Sequence, residues 1–269
     1  MNCLIVDFHM HSTASDGTLN PKELVALVKE RKIEYFSLTD HDTIDGVKQI
    51  KEKNFIPGVE ISVEHPTTLH ILGYGFDINN EKLNKVLDQL KQYRYERNVK
   101  MVEKARALGF DITLEELLEE ANGTLIGRPH FASLLLKKGY VEDRKEAFEK
   151  YLKRGMPLYE DKKRLDLESA IEIITQADGI AVFAHPYQTS KDTDEIEKLL
   201  KKMVELGLKG IEVYYSKHTK DMIETYKKLA KRYNLVKTAG SDFHGQNTPD
   251  IEPGIEIDKE KIEGFLSLF

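Results

Sequence analysis

Six of the nine histidines in this 269-residue chain, His9, His11, His41, His70, His185 and His244, sit at or just beyond the end of a short apolar run. Three carboxylates, Asp16, Glu60 and Asp242, occupy the same kind of position. His9-x-His11 sends two imidazoles to one side of an extended chain, and Asp242-x-His244 repeats the arrangement with a carboxylate first. Imidazole with carboxylate is a donor set for zinc, manganese or iron, and the single cysteine, Cys3, leaves no thiolate cluster to compete. One ion needs about four ligands, so nine such residues point to two or three divalent ions. A lone histidine at a strand end is more often a satisfied polar residue. Six in that position, three with a carboxylate nearby, are not accounted for that way.

These side chains need elements that bring them together. Apolar runs at 4–8, 35–39, 56–63, 70–74, 179–184, 210–215 and 235–239 read as strands. Helical patterns lie at 21–31, where Leu24, Leu27 and Val28 form an apolar face, and at 47–53, 167–176, 194–206 and 217–233. Strand and helix alternate, which predicts parallel β/α construction with the active site at the C-terminal ends of the strands. From about Asp77 that rhythm stops. Residues 81–108 read as one long charged helix. Shorter ones follow at 114–120, 129–138 and 144–152, punctuated by Asn122-Gly123, Gly127, Gly139 and Gly155. The expected organisation is a β/α domain built from 1–77 and 165–269, interrupted by a helical insertion at 78–164.

Composition narrows the partners. With 40% hydrophobic and 32% charged residues the chain can bury a sizeable core beneath a solvated surface, which excludes disordered and collagen-like chains. No run approaches the ~18 apolar residues of a membrane span, and residues 1–8 are too short and uncharged for a secretory signal. One cysteine and no signal lead to a cytoplasmic expectation. A net charge of −6 without a basic block argues against duplex DNA as a partner. Any anionic substrate must therefore be held by a local positive site.

Five motifs now stand in order: Asp7-Phe8-His9-Met10-His11-Ser12 with Ser15-Asp16-Gly17; Leu38-Thr39-Asp40-His41-Asp42; Gly58-Val59-Glu60; Ala184-His185-Pro186; and Gly240-Ser241-Asp242-Phe243-His244. Together they resemble the PHP (polymerase and histidinol phosphatase) family of metal-dependent phosphoesterases. The resemblance implies a distorted (β/α)7 barrel with its metal cluster at the strand C-termini. It also implies that His9, His11, Glu60 and Asp242 hold one ion, that Glu60 bridges to a second held with His70 and His185, and that Asp16, His41 and His244 hold a third. Three divalent ions against three carboxylates would leave the site positive by about three charges. A hydroxide bridging two of the ions would be the nucleophile, and His41, His244 or a water on the third ion with Asp16 would protonate the leaving group.

A helical insertion carrying Arg94-Tyr95-Glu96-Arg97-Asn98 and Gly127-Arg128-Pro129-His130-Phe131 resembles the branch of the family that removes the 3′-phosphate of nucleoside 3′,5′-bisphosphates. Some members of that branch trim the 5′ ends of short RNA. Arg94 and Arg97 share a helix face, and a guanidinium fork suits phosphate. They are the expected clamp for a second phosphate, with Arg128 and His130 beside them and Asn98 available to base or sugar. His218, after another strand end, is a further candidate for substrate contact. The expected partner is a small phosphorylated substrate, a nucleotide or a short RNA 5′ end. The alternatives are a 5′→3′ exoribonuclease, a histidinol phosphatase, which Asp16 in place of a histidine disfavours, or a non-catalytic metal-binding PHP module.

Overall fold

The structure, a computed structural model, describes residues 3–121 and 125–269; the Asn122-Gly123 turn lies outside them. The first half of the chain forms β1 (Cys3–Asp7), α1 (Pro21–Glu30), β2 (Tyr35–Leu38), β3 (Phe55–Ser62) and β4 (His70–Tyr74), then α2 (Glu81–Ala107), α3 (Leu114–Glu120), α4 (Arg128–Lys137) and α5 (Arg144–Ala147). The second half forms α6 (Leu167–Thr175), β5 (Ile180–Phe183), α7 (Pro186–Thr189), α8 (Thr193–Glu205), β6 (Gly210–Tyr215), α9 (Lys220–Arg232), β7 (Val236–Gly240), β8 (Ile255–Asp258) and α10 (Glu263–Leu266). Local chemistry sets the boundaries. At α1, Asn20 and Glu23 make a reciprocal capping box around Pro21 in the first turn. The helix expected at 47–53 shrinks to a single turn, Val47–Gln49.

The strands lie in the order β7-β6-β5-β4-β3-β2-β1-β8. Residues Cys3 to Val6 of β1 pair antiparallel with β8. Past Val6 the chain changes partner. Phe8 N–H donates to Ala239 O at 2.9 Å, Asp242 N–H to His9 O at 2.8 Å, and His11 N–H to Phe243 O at 2.9 Å. Seven strands thus close into a ring at the end that bears the histidines, and β8, which the sequence reading did not anticipate, completes the other end. There Phe265 of α10 meets Phe8 and Tyr74 edge-on, with ring centroids 4.8 and 5.1 Å away, and Tyr74 Oη donates to Phe8 O at 2.8 Å.

One strand corrects the parallel reading: β4 runs antiparallel to both β3 and β5. Only residues 63–69 join β3 to β4, far short of the dozen or more that a parallel crossover requires. The chain must turn back. His70 therefore opens its strand, and the reversal puts that opening residue at the rim where the other strands finish.

The helical insertion has its own apolar cluster, including Met101, Ala105, Leu117, Phe131, Leu135 and Leu158. One helix, α2, serves both bodies. Leu83, Leu87 and Leu90 pack in the layer around the barrel, whereas Met101, Val102 and Ala105 pack in the insertion. Cys3 is exposed. No described helix is long and apolar enough to cross a membrane.

Candidate metal centre

Glu60 lies within β3 rather than at its end, at an inward position of the alternation that also places Ile56 and Gly58. An isolated parallel bridge joins its backbone to His41. Its two carboxylate oxygens divide five imidazoles between them. Oε1 faces His70 Nδ1 at 2.7 Å and His185 Nε2 at 2.9 Å; Oε2 faces His9 Nε2 at 3.3 Å, His11 Nε2 at 3.2 Å and His41 Nδ1 at 2.9 Å. Asp242 Oδ1 completes one group, 3.4 Å from His9 Nε2 and 3.2 Å from His11 Nε2. Asp16 Oδ1 lies 3.4 Å from His244 Nε2 and 3.9 Å from His11 Nδ1. All nine residues expected as ligands are therefore neighbours. Their atoms fall into three overlapping groups: His9, His11, Glu60 and Asp242; His41, Glu60 and His70; and His11, Asp16, His41 and His244. His41 is shared between the second and third groups, and His185 approaches the second through Glu60 and through His70 Nδ1 at 3.3 Å.

The donors fit divalent cations on the structure's own terms. His9 Nε2, His11 Nε2, His41 Nδ1, Asp16 Oδ1 and Glu60 Oε2 are all buried without a hydrogen-bond partner, a condition that costs about 1–3 kcal/mol per group unless something else satisfies it. Ligands about 2.1 Å from a tetrahedral ion stand ~3.4 Å apart, the spacing seen between these imidazole and carboxylate atoms. Two of the far ring nitrogens are used as ligating histidines require. His9 Nδ1 donates to Glu212 Oε1 at 3.0 Å and His244 Nδ1 to Asp242 O at 2.9 Å, each leaving Nε2 bare toward the centre. Burial resists ionisation of the Glu60 carboxyl, but the imidazoles of His70, His41 and His9 hold it well below the usual carboxylate range. Asp16 and Asp242 are depressed in the same way, by His41 with His244 and by His9 with His244. Burial would lower the His11 pKa, and Asp242 with Glu60 instead raises it to about 10. The centre thus presents ionised carboxylates to any cation that displaces protons from its rings.

A cavity of about 410 Å³ opens beside this centre. Asp16, His41 and His70 form part of its wall, and Arg94, Arg97, Arg128 and Lys162 form another part. Arg94 is committed to the protein, because its Nη2 donates to Asp42 Oδ2 at 2.8 Å and both side chains are buried. Arg97 is not committed in this way: Nη2 donates to Ile126 O at 3.3 Å, while Nε is buried and unpartnered. Burial, with the guanidiniums of Arg94, Arg128 and Arg164, disfavours its charge, a strain that an anion would relieve. Arg128 lies over the Tyr159 ring at 5.5 Å.

Three residues expected at the substrate are not brought to this wall. Asn98 Nδ2 donates to Ile126 O at 3.2 Å and so fastens the segment before α4. His130 Nδ1 accepts the Gly127 N–H at 2.9 Å, which caps α4. His218 Nδ1 donates to Val213 O at 2.9 Å within an aromatic cluster with Tyr187, Tyr215 and Tyr226.

Residues 7–170 match the PHP domain family. The chain belongs to that family. A 5′-3′ exoribonuclease of Haemophilus influenzae is 34% identical over 245 residues, 88% of this chain and 89% of the relative. A 3′,5′-nucleoside bisphosphate phosphatase of Chromobacterium violaceum is 34% identical over 247 residues, 89% of this chain and 87% of the relative. A solved structure from Bifidobacterium adolescentis, described as a metal-dependent phosphoesterase, superposes with a TM-score of 0.86 at 28% identity and covers 97% of this chain and 95% of its own. This PHP chain is a metal-dependent phosphoesterase, a hydrolase of phosphoric esters.

The roles of several residues that organise this PHP centre escaped the sequence reading, although Asp40 and Gly240 stand in its motifs. Glu212, fully buried in β6, accepts from His9 Nδ1 and from the His185 backbone N–H at 2.8 Å. Gly240 makes room for it, since a Cβ there would stand 2.3 Å from His9 Cβ and 2.7 Å from Glu212 Oε1. Asp40 accepts from Ser12 N, Ser12 Oγ and Ser15 Oγ at 2.6–2.8 Å and shapes the loop between His11 and Asp16. Tyr215 Oη donates to Asp242 Oδ2 at 2.8 Å. Lys162 pairs with Asp42 Oδ2 and donates to Ser62 Oγ at 3.0 Å. The one available signal was an acidic residue at an inward position of an apolar strand, as in Gly210-Ile211-Glu212-Val213.

Proposed function

We propose that this phosphoesterase removes the 3′-phosphate of nucleoside 3′,5′-bisphosphates. The observation that carries the reading is the single cavity wall that runs from Asp16, His41 and His70 to the guanidinium cluster. A bisphosphate needs two anion sites close together, and in an acidic chain this cavity concentrates positive charge. The Chromobacterium violaceum relative supports the same reading. Divalent cations held by His9, His11, Asp16, His41, Glu60, His70, His185, Asp242 and His244 would supply charge to the phosphate oxygens and acidify the attacking water.

The chain's own side chains do the rest. Arg97 and Arg128 bind the phosphate that is not cleaved, and Arg94 and Lys162, both fastened to Asp42, line the approach. When the P–O3′ bond breaks, the departing oxygen needs a proton, which a water held at the rim beside Asp16, His41 and His244 would deliver. Arg97→Ala should cost about 10- to 100-fold in kcat/KM on a bisphosphate, the worth of one charge-assisted hydrogen bond, and leave a simple monophosphate nearly unaffected. Equal losses on both substrates would remove Arg97 from the clamp.

Lys162 adds a pH dependence. Burial and the Arg94 guanidinium push its ammonium down to about 7 despite Asp42. A lysine that loses its proton as pH rises through 7 stops attracting phosphate, so KM should climb over that interval. Lys162→Arg, cationic throughout, should flatten the climb, and a KM–pH profile unchanged by the substitution would exclude the role.

A second reading, 5′→3′ exoribonuclease, draws on the Haemophilus influenzae relative. A bisphosphate has the same phosphate-bearing end as such an RNA. Phosphate release from adenosine 3′,5′-bisphosphate, compared with mononucleotide release from a short 5′-phosphorylated RNA and phosphate release from histidinol phosphate, decides between them. Preference for the RNA would replace the first reading with the second.

A further inference from the structure

The loop after β7 is tied to the insertion by a link the proposed reaction does not use. Arg144, the first residue of α5, reaches across to the barrel. Its Nη1 donates to Asn247 Oδ1 and, at 3.5 Å, to Gln246 O, while Nη2 donates to Ser133 Oγ of α4 at 3.1 Å. Asn247 extends the link, since its Nδ2 donates to Asp16 O at 2.6 Å. The same two loops are joined again where Gln246 N–H donates to Thr18 Oγ1 at 3.0 Å. Gly245, at φ +62°, permits that approach; a Cβ there would meet Thr18 Oγ1 at 2.0 Å. The backbones so joined carry Asp16 and His244, whose facing atoms lie 3.4 Å apart in the group shared with His11 and His41.

We propose that Arg144 is a positioning residue through which the seated insertion holds the Asp16–His244 pair at cation-binding distance. The proposal rests on the metal-dependent reading of this centre. The contrast between the groups supports it. The His9, His11, Glu60 and Asp242 group takes its geometry from β3, from the backbone hydrogen bonds that join His9 and His11 to Asp242 and Phe243, and from contacts of Glu212 and Tyr215. Asp16 stands farther along the loop after β1, and His244 lies just past Phe243, which bridges to Met10. The guanidinium and the Asp16 carbonyl bind opposite ends of the Asn247 amide, so that amide cannot turn over without losing both bonds. Removing Arg144 should therefore affect one cation group and spare the other.

The test compares wild-type protein with Arg144→Ala, Asn247→Ala and Arg144→Lys. Bound metal per chain is measured by elemental analysis after equilibration against graded chelator, and circular dichroism monitors the fold. Arg232→Ala, which breaks only an exposed pair with Glu197, is the control and should match wild type. Arg144→Ala and Asn247→Ala should each release one metal equivalent at a chelator concentration about tenfold lower than wild type, the usual effect of disturbing an outer-shell support. The remaining equivalents should be unchanged, and Arg144→Lys, which keeps the charge without the fork, should fall between. A folded Arg144→Ala protein with the wild-type profile overturns the proposal, as does a uniform weakening of every equivalent. Should one variant fail to fold, the other half of the link decides. Wild-type protein that holds no metal would instead overturn the reading beneath it.

Discussion

Glu60→Gln should lose at least ~10³-fold in kcat/KM while the barrel still folds. The carboxylate is the one group that five imidazoles share, and its two oxygens join all the candidate cation groups but the one around Asp16. Glutamine keeps the shape and removes the charge. Its amide NH₂ must also point at ring nitrogens that are themselves prepared to face a cation. Losing several kcal/mol of charge stabilisation, at about 1.4 kcal/mol per decade of rate, gives the stated loss. Phosphate release and bound metal should fall together. Folded Glu60→Gln protein that turns over at the wild-type rate would show that Glu60 only pairs with histidines.

Stripping the cations should lower the melting temperature by about 8–16 °C and remove activity, both reversibly. An ion present at about 1,000 times its Kd stabilises the folded state by ~4 kcal/mol, and about 2–4 °C per kcal/mol is typical of chains approaching this size. Stripping leaves His9 Nε2, His11 Nε2, His41 Nδ1, Asp16 Oδ1 and Glu60 Oε2 buried without partners. The measurement is a thermal scan after chelation and again after manganese or zinc is restored. An unchanged scan, with activity intact after exhaustive chelation, would contradict metal dependence.

Most residues at the rim were legible in the sequence because they announce themselves locally, as polar residues where an apolar run begins or stops. Strand direction was not legible. Residues 70–74 look the same whichever way the strand runs, and only the length of the connection at 63–69 reveals the reversal that brings His70 to the rim. The supporting residues were invisible for a different reason. Glu212 is separated from His9 by 203 positions, and Lys162 from Asp42 by 120. Nothing within a short window tells a buried, paired carboxylate from an exposed one. The arginines show both outcomes on one helix face: Arg94 found an internal carboxylate 52 residues away, and Arg97 found only the Ile126 carbonyl. His130 was misleading because the residue three positions into a helix can serve its cap as readily as a ligand.

The change of partner along β1 also dictates the timetable of assembly. His9 and His11 are made among the first dozen residues, yet the carboxylates they meet, Glu212 and Asp242, and the strands that seal the ring, β7 and β8, come from the last quarter of the chain. A chain still emerging from the ribosome holds its earliest imidazoles without Glu212 and Asp242 until nearly all of it has been synthesised. Cation capture is thereby a late event, reserved for a finished polypeptide.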